Sequence, residues 1–281
     1  MVHLCCRGRQ FSDIEAIIFD KDGTLADGQA YLVQLGLERS HRLDQQYPGA
    51  GDRLQRAFGI DGNFLDPFGL LAAGTRQENA VAAATYLAET GCSWQDALQQ
   101  AQDIFRNADQ ALPPKANYNP PFPGILALLE HLSEAGVKLA VLSSDSLENV
   151  TAFLEQQHLQ HFFQGWMGAE PSKPSKPDPI LVDYLCNQLG VSPAATVMVG
   201  DTPGDLQMAI AAKMAGSIGA TWGWSDRPRS QSSLATNTLL EPATPEPQEH
   251  MGSMLSQKLG QTQAGDFPSS LAHSPGDIRV V

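Results

Sequence analysis

The 281 residues carry 18 Lys and Arg against 31 Asp and Glu, a net charge of -13, with 42% hydrophobic and 17% charged residues. That balance excludes a nucleic-acid surface, which needs clustered cations to displace counterions, and it requires any anionic ligand to meet a local cation. No apolar stretch reaches the roughly 18 residues of a membrane span.

The N-terminus, Met1-Val2-His3-Leu4-Cys5-Cys6-Arg7, has no apolar core of signal-peptide length, so the expected compartment is cytoplasmic. Cys5 and Cys6 read as ordinary thiols, because a myristoylation signal needs glycine after the initiator and Val2 stands there. With Cys92 and Cys186 they form no C-x-x-C pair, so neither a zinc site nor a disulfide framework is expected.

Apolar runs of strand length lie at 14–19, 138–142, 163–167, 196–199 and 217–221. Helical patterns fall between most of them, at 125–133, 147–157, 179–189 and 206–214, with Gly136, Gly190 and Gly216 as helix stops. The alternation predicts an α/β fold, a Rossmann-like parallel sheet flanked by helices. Residues 29–118 interrupt it after the first strand with helical spacing at 29–46, 78–89 and 93–110. An insertion of about 90 residues exceeds any ordinary connection and reads as an α-helical cap placed to close over the site. The core is then 13–28 plus 119–241. From 242 onward, Ser, Thr, Gln, Pro and Gly dominate, and that tail is expected to be disordered apart from a short strand near 238–240 just before it.

Four groups of residues stand at predicted strand ends, where open parallel sheets place their chemistry. In Asp20-Lys21-Asp22-Gly23-Thr24, a strand-end carboxylate can accept a phosphoryl group while its neighbour two residues on moves the proton. A calcium loop would need glycine at its sixth position, which is Leu25. In Ser143-Ser144-Asp145, a hydroxyl and backbone N–H groups suit phosphate oxygens, although Asp145 or Ser146 equally suits a helix cap. Lys176, ahead of Pro177 and Pro179, offers a compact cation at a helix entry, with Lys173 as its competitor. Gly200-Asp201 ends a strand, with Asp205 four residues beyond; Asp201 suits magnesium as a hard oxygen ligand, and Asp205 suits a helix cap or outer support.

In this order, these groups resemble the haloacid dehalogenase-like hydrolase superfamily over about residues 13–224, with Asp20 to Thr24, Ser143, Lys176 and Gly200-Asp201 with Asp205 as its four motifs. The inserted helices resemble the cap of phosphoglycolate phosphatases and β-phosphoglucomutases. The resemblance implies an aspartyl-phosphate on Asp20, acid–base work by Asp22, and Mg2+ held by the Asp20 carboxylate, the Asp22 carbonyl and Asp201. Ser143, Ser144 and Lys176 would hold phosphate, with Thr24, Gly200 and Asp205 in support. Asp22 separates the phosphatase and mutase branches from P-type ATPases, which carry Thr there, and from dehalogenases, which lack the acid. The implied activity is hydrolysis of a small phosphorylated metabolite by a monomer or homodimer, with a sugar-phosphate mutase or a weakly catalytic binding protein as alternatives. Arg76 in the cap is a candidate substrate contact or a solvated helix-start residue. The long cap and the tail depart from the family's pattern.

Overall fold

A computed structural model describes residues 2–66, 69–170, 173–223 and 269–281. Eleven strands are described: β1 (Val2–Cys6), β2 (Arg9–Ile14), β3 (Ala16–Phe19), β4 (Ile60–Asp61), β5 (Phe64–Leu65), β6 (Lys138–Ser146), β7 (Phe163–Ala169), β8 (Thr196–Gly200), β9 (Gly216–Ala220), β10 (Ser269–Ala272) and β11 (Ile278–Val280). The described helices are α1 (Gln29–Gln46), α2 (Ala50–Phe58), α3 (Leu70–Ala73), α4 (Arg76–Ala88), α5 (Trp94–Ala111), α6 (Ile125–Glu134), α7 (Leu147–Gln156), α8 (Ile180–Leu189) and α9 (Pro203–Ala211).

Six strands form one sheet in the order β10-β9-β8-β3-β6-β7, every neighbouring pair parallel. Because strand side chains alternate in direction, Ile17 and Phe19 of β3 pack on one face with Leu128, Leu129 and Phe153 of α6 and α7. Ala16 and Ile18 pack on the other with Leu181, Leu185 and Met208 of α8 and α9. Burial on both faces explains why the parallel strands read as nearly continuous apolar runs. The chain first builds outward from β3 to β6 and β7, then returns to add β8 on the opposite side. The carboxyl end of β3 therefore lies at the topological switch point, where such sheets open a crevice.

Helices α1 to α5 and the β4-β5 hairpin fill the interruption after β3. They share a separate apolar core that includes Val33 and Leu43 of α1, Leu54 and Phe58 of α2, Ala84 and Leu87 of α4, and Ile104 and Phe105 of α5. The spacing at 29–46, 78–89 and 93–110 anticipated α1, α4 and α5. Helix α2 and the hairpin lacked a sequence signal, since Gly49, Gly51 and Gly59 break up the pattern.

The structure corrects two expectations. Disorder from residue 242 onward fails for 269–281: β10 extends the parallel sheet beside β9, and β11 pairs antiparallel with β1. Ala272 and Ile278 are buried in the main core, so a short apolar segment was hidden by the averaged composition of a long polar tail. The strand expected near 238–240 and the tail through 268 lie outside the described residues. The N-terminal segment, for which the sequence pattern sets no structural expectation, is a hairpin whose turn residues Arg7 and Gly8 both take positive φ, as tight two-residue hairpin loops require; Cys5 and Cys6 are free thiols, and Cys6 is fully buried. Gly216 begins β9 rather than stopping the preceding helix, which ends at Ala211 with Lys213 in the left-handed conformation.

Candidate active site

Asp20 follows the last residue of β3, and its backbone N–H donates to the Val199 carbonyl of β8 at 2.8 Å. The chain then turns tightly, with the amides of Leu25 and Ala26 both donating to the Lys21 carbonyl at 2.8 Å and Gly23 at φ 81°. Phe19 is in register with Val199 on one side and Val141 on the other. Asp20, Asp201 and Ser143 therefore emerge at one sheet edge on three adjacent strands. Thr24 is fully buried beneath them and donates from Oγ1 to Asp201 Oδ1 at 3.3 Å. Ser143 is buried, with its hydroxyl accepting from the Asp145 amide at 3.1 Å. Ser144 is exposed.

Lys176 reaches this edge from the segment before α8. Its Nζ donates to Asp20 Oδ1 at 2.5 Å and to Asp205 Oδ1 at 2.7 Å. Lys173 instead pairs with Glu170 at the surface, 2.8 Å away. Asp205 combines both roles weighed from the sequence. Its Oδ2 closes a capping box at the start of α9 with the Thr202 amide and hydroxyl, while Oδ1 takes the lysine. Gly200 is required by this arrangement, since a Cβ there would stand 2.4 Å from the Asp205 carboxyl.

The floor of the loop is closed by a segment the sequence did not flag. Trp222 Nε1 donates to the Thr24 carbonyl at 2.9 Å. Gly223 lies so close that a Cβ would come within 1.8 Å of the Gly23 carbonyl oxygen.

Asp22 sits in a second cluster. Lys21 and Lys115 place their ammonium groups 2.7 Å from its Oδ1 and Oδ2 respectively. The same two lysines reach Asp145 Oδ2 at 3.1 and 2.7 Å, and Asn119 Nδ2 donates to Asp22 Oδ1 at 3.1 Å. Asp145 is held in turn by Asn149 Nδ2 at 2.7 Å and the Ser146 amide at 2.8 Å, while Ser146, not Asp145, caps α7. Lys115 and Asn119 belong to the return from cap to core. Pro114 before Lys115 repeats the proline-flanked setting of Lys176, a signal that sequence reading could have used.

The charges of the two clusters differ. Around Asp22, two partly buried carboxylates meet the fully buried ammonium of Lys21 and the partly buried one of Lys115. Burial alone would lower the Lys115 ammonium, but Asp145 and then Asp22 raise it on balance. Burial would raise Asp145, yet Lys115 and Lys21 hold it well below the usual carboxylate range. Around Asp20, the Lys176 ammonium is shared by Asp20 and Asp205, and Asp201 adds a third carboxylate at the same sheet edge. Burial pushes the Asp20 carboxyl up to about 6; Lys176 opposes the shift, and Asp205 and Asp22 add to it. The excess of two negative charges fits a divalent cation. No three His, Cys, Asp or Glu side chains among the described residues form a chelating group. A cation here would rest on few carboxylates, a backbone carbonyl and waters, which suits magnesium.

Arg76 opens α4 and pairs with Asp109 of α5. Asp109 also accepts from Arg39 Nε and Nη2 at 3.1 and 2.8 Å, and Arg39 lies 4.6 Å above the Phe105 ring. The pairings of Arg76 are thus within the cap.

Residues 14–213 match the haloacid dehalogenase-like hydrolase family. The chain is 32% identical over 214 residues to the "Probable phosphatase IndB" of Dickeya dadantii, covering 74% of this chain and 81% of that protein. It is 30% identical over 217 residues to a phosphoglycolate phosphatase of Synechococcus elongatus, covering 76% and 87%. Among solved structures, a predicted phosphoglycolate phosphatase from Haemophilus somnus superimposes with a TM-score of 0.57 at 21% identity over 76% of this chain and 88% of that one. A haloacid dehalogenase-like family hydrolase from Streptococcus pneumoniae gives 0.52 at 18% identity over 95% and 97%. These two share the fold. The sheet with its helical insertion, the four motifs at one sheet edge and the family match agree: the chain belongs to the haloacid dehalogenase-like hydrolases.

Proposed function

We propose that the protein is a magnesium-dependent phosphatase that hydrolyses a small phosphomonoester through an aspartyl-phosphate on Asp20. The observation that carries this reading is the Lys176 ammonium bridging Asp20 and Asp205 at a sheet edge, with a second carboxylate, Asp22, two residues along the same loop. A nucleophilic Asp20 oxygen forms a bond to phosphorus as the bond to the leaving oxygen breaks, and Asp22 gives that oxygen its proton. Water then attacks the phosphoryl group, Asp22 takes a proton from it, and Asp20 leaves as carboxylate. Lys176 orients Asp20 and neutralises phosphoryl charge, while Ser143 and nearby backbone amides supply uncharged donors. Asp20, Asp201 and the Asp22 carbonyl would hold magnesium, which offsets charge on the phosphoryl oxygens. Thr24, Gly200 and Asp205 keep these groups in place.

The relatives named phosphatases support the reaction class, and phosphoglycolate heads the substrates to test because several relatives are named for it. Among the described residues no helix is long and apolar enough to cross a membrane; the proposal places the enzyme in the cytoplasm as a monomer or homodimer acting on a small metabolite. The test is turnover of p-nitrophenyl phosphate and a panel of phosphorylated metabolites. Both Asp20→Asn and EDTA are expected to abolish phosphate release. Undiminished release in both would overturn the reading.

A further inference from the structure

Deepening the reading of Asp22 as proton donor, we infer that Lys115 is its positioning residue, so that the acid–base group is assembled only while the return linker from the cap is seated against the core. Lys115 is 10% exposed, and its ammonium spans Asp22 Oδ2 and Asp145 Oδ2, both at 2.7 Å. The Asp22 carboxylate is fixed from both sides: Lys21 and Asn119 meet Oδ1, and Lys115 meets Oδ2. Two of these three donors, Lys115 and Asn119, arrive on the linker, and only Lys21 comes from the loop that carries Asp22. The linker is tied to that loop by backbone bonds as well, from Asp27 N to the Pro120 carbonyl at 2.8 Å and from Phe122 N to the Leu25 carbonyl at 3.0 Å.

Asp145 is the fixed post of the arrangement. It projects from the end of β6, is braced by Asn149 and the Ser146 amide, and binds both lysines that touch Asp22. With Lys115 withdrawn, Lys21 and Asn119 still meet Oδ1, but Oδ2 loses the contact that fixes it, and the carboxylate is held from one side only. A proton donor matters most when the leaving group is a poor one. Loss of Lys115 therefore weakens phosphoryl transfer from a weakly acidic phenol far more than from a strongly acidic one.

The experiment compares phenyl phosphate with p-nitrophenyl phosphate, which have similar shapes and different leaving groups. It uses kcat/KM, which reports the steps through first phosphoryl transfer. Lys115→Gln and Lys115→Met in the full chain are expected to lose roughly tenfold or more on phenyl phosphate beyond any loss on p-nitrophenyl phosphate. Lys115→Arg, which keeps a cation on the linker, restores part of that difference. Asp145→Asn shows the same selectivity and carries the comparison if both neutral Lys115 variants fail to fold. Equal losses on both substrates, or no loss on either, overturn the inference. Asp20→Asn, inert on both, separates that failure from a failure of the phosphatase reading itself.

Discussion

Replacing Asp20 with Asn should make the metal-free protein more stable at neutral pH while removing its activity. Asp20 is 7% exposed, and burial, opposed by Lys176 and reinforced by Asp205 and Asp22, pushes its carboxyl up to about 6. An unfolded chain releases that proton near pH 4, so the shift is about two units, or about 3 kcal/mol at roughly 1.4 kcal/mol per unit. The folded state holds the proton more tightly, so the wild type matches the variant below about pH 4 and loses ground as pH rises through about 6. At pH 8 in EDTA the variant is expected to be more stable by about 3 kcal/mol, roughly 6–12 °C in Tm for a domain of this size. Magnesium should narrow the gap, because a ligand of the folded wild type stabilises it in proportion to its binding. Urea and thermal unfolding at several pH values between 4 and 8, with and without magnesium, make the measurement. An Asn variant no more stable than wild type at pH 8, or a difference that does not change with pH, would refute the reasoning.

Two further substitutions probe parts of the chain remote from the first motif in sequence. Gly223→Ala would place a methyl group 1.8 Å from the Gly23 carbonyl, so the loop carrying Asp20 and Asp22 must shift; both kcat and Tm should fall, and a variant with wild-type kcat would contradict the packing. Ile278→Ala, in a segment whose surroundings read as a disordered tail, removes a side chain only 2% exposed in the main core and should cost about 2–5 kcal/mol by urea unfolding, whereas a cost near zero would mean that β11 is not docked.

How much of the site was readable follows from how each residue is placed. Asp20, Asp22, Ser143, Lys176, Asp201 and Asp205 announce themselves because each sits at the end of an apolar run or at a helix entry, and those local patterns survive in one dimension. Asn119, Trp222 and Gly223 carry no such mark, Lys115 has only its neighbouring Pro114, and Asp145 stands out only beside Ser143 and as a helix-cap candidate. They meet the motif loop through long-range contacts, such as Lys115 with Asp22 across 93 residues and Trp222 with Thr24 across 198. Lys21 illustrates the same limit differently: it was visible inside the first motif, yet its fully buried position between Asp22 and Asp145 depends on where β6 ends.

The sequence by itself determined the alternation of β3, β6, β7, β8 and β9 with α6 to α9, because a strand buried on both faces must be continuously apolar and a helix on its flank must be apolar at helical spacing. It also put the candidate site residues at strand ends, where the structure places them together. The tertiary structure alone decided the strand order that puts β3 at the switch point, the return of residues 269–281 to the sheet and to β1, and the pairing of each ammonium with its carboxylates. Those features depend on which segments meet in space, and burial strengthens the charge pairing only after the meeting has excluded water.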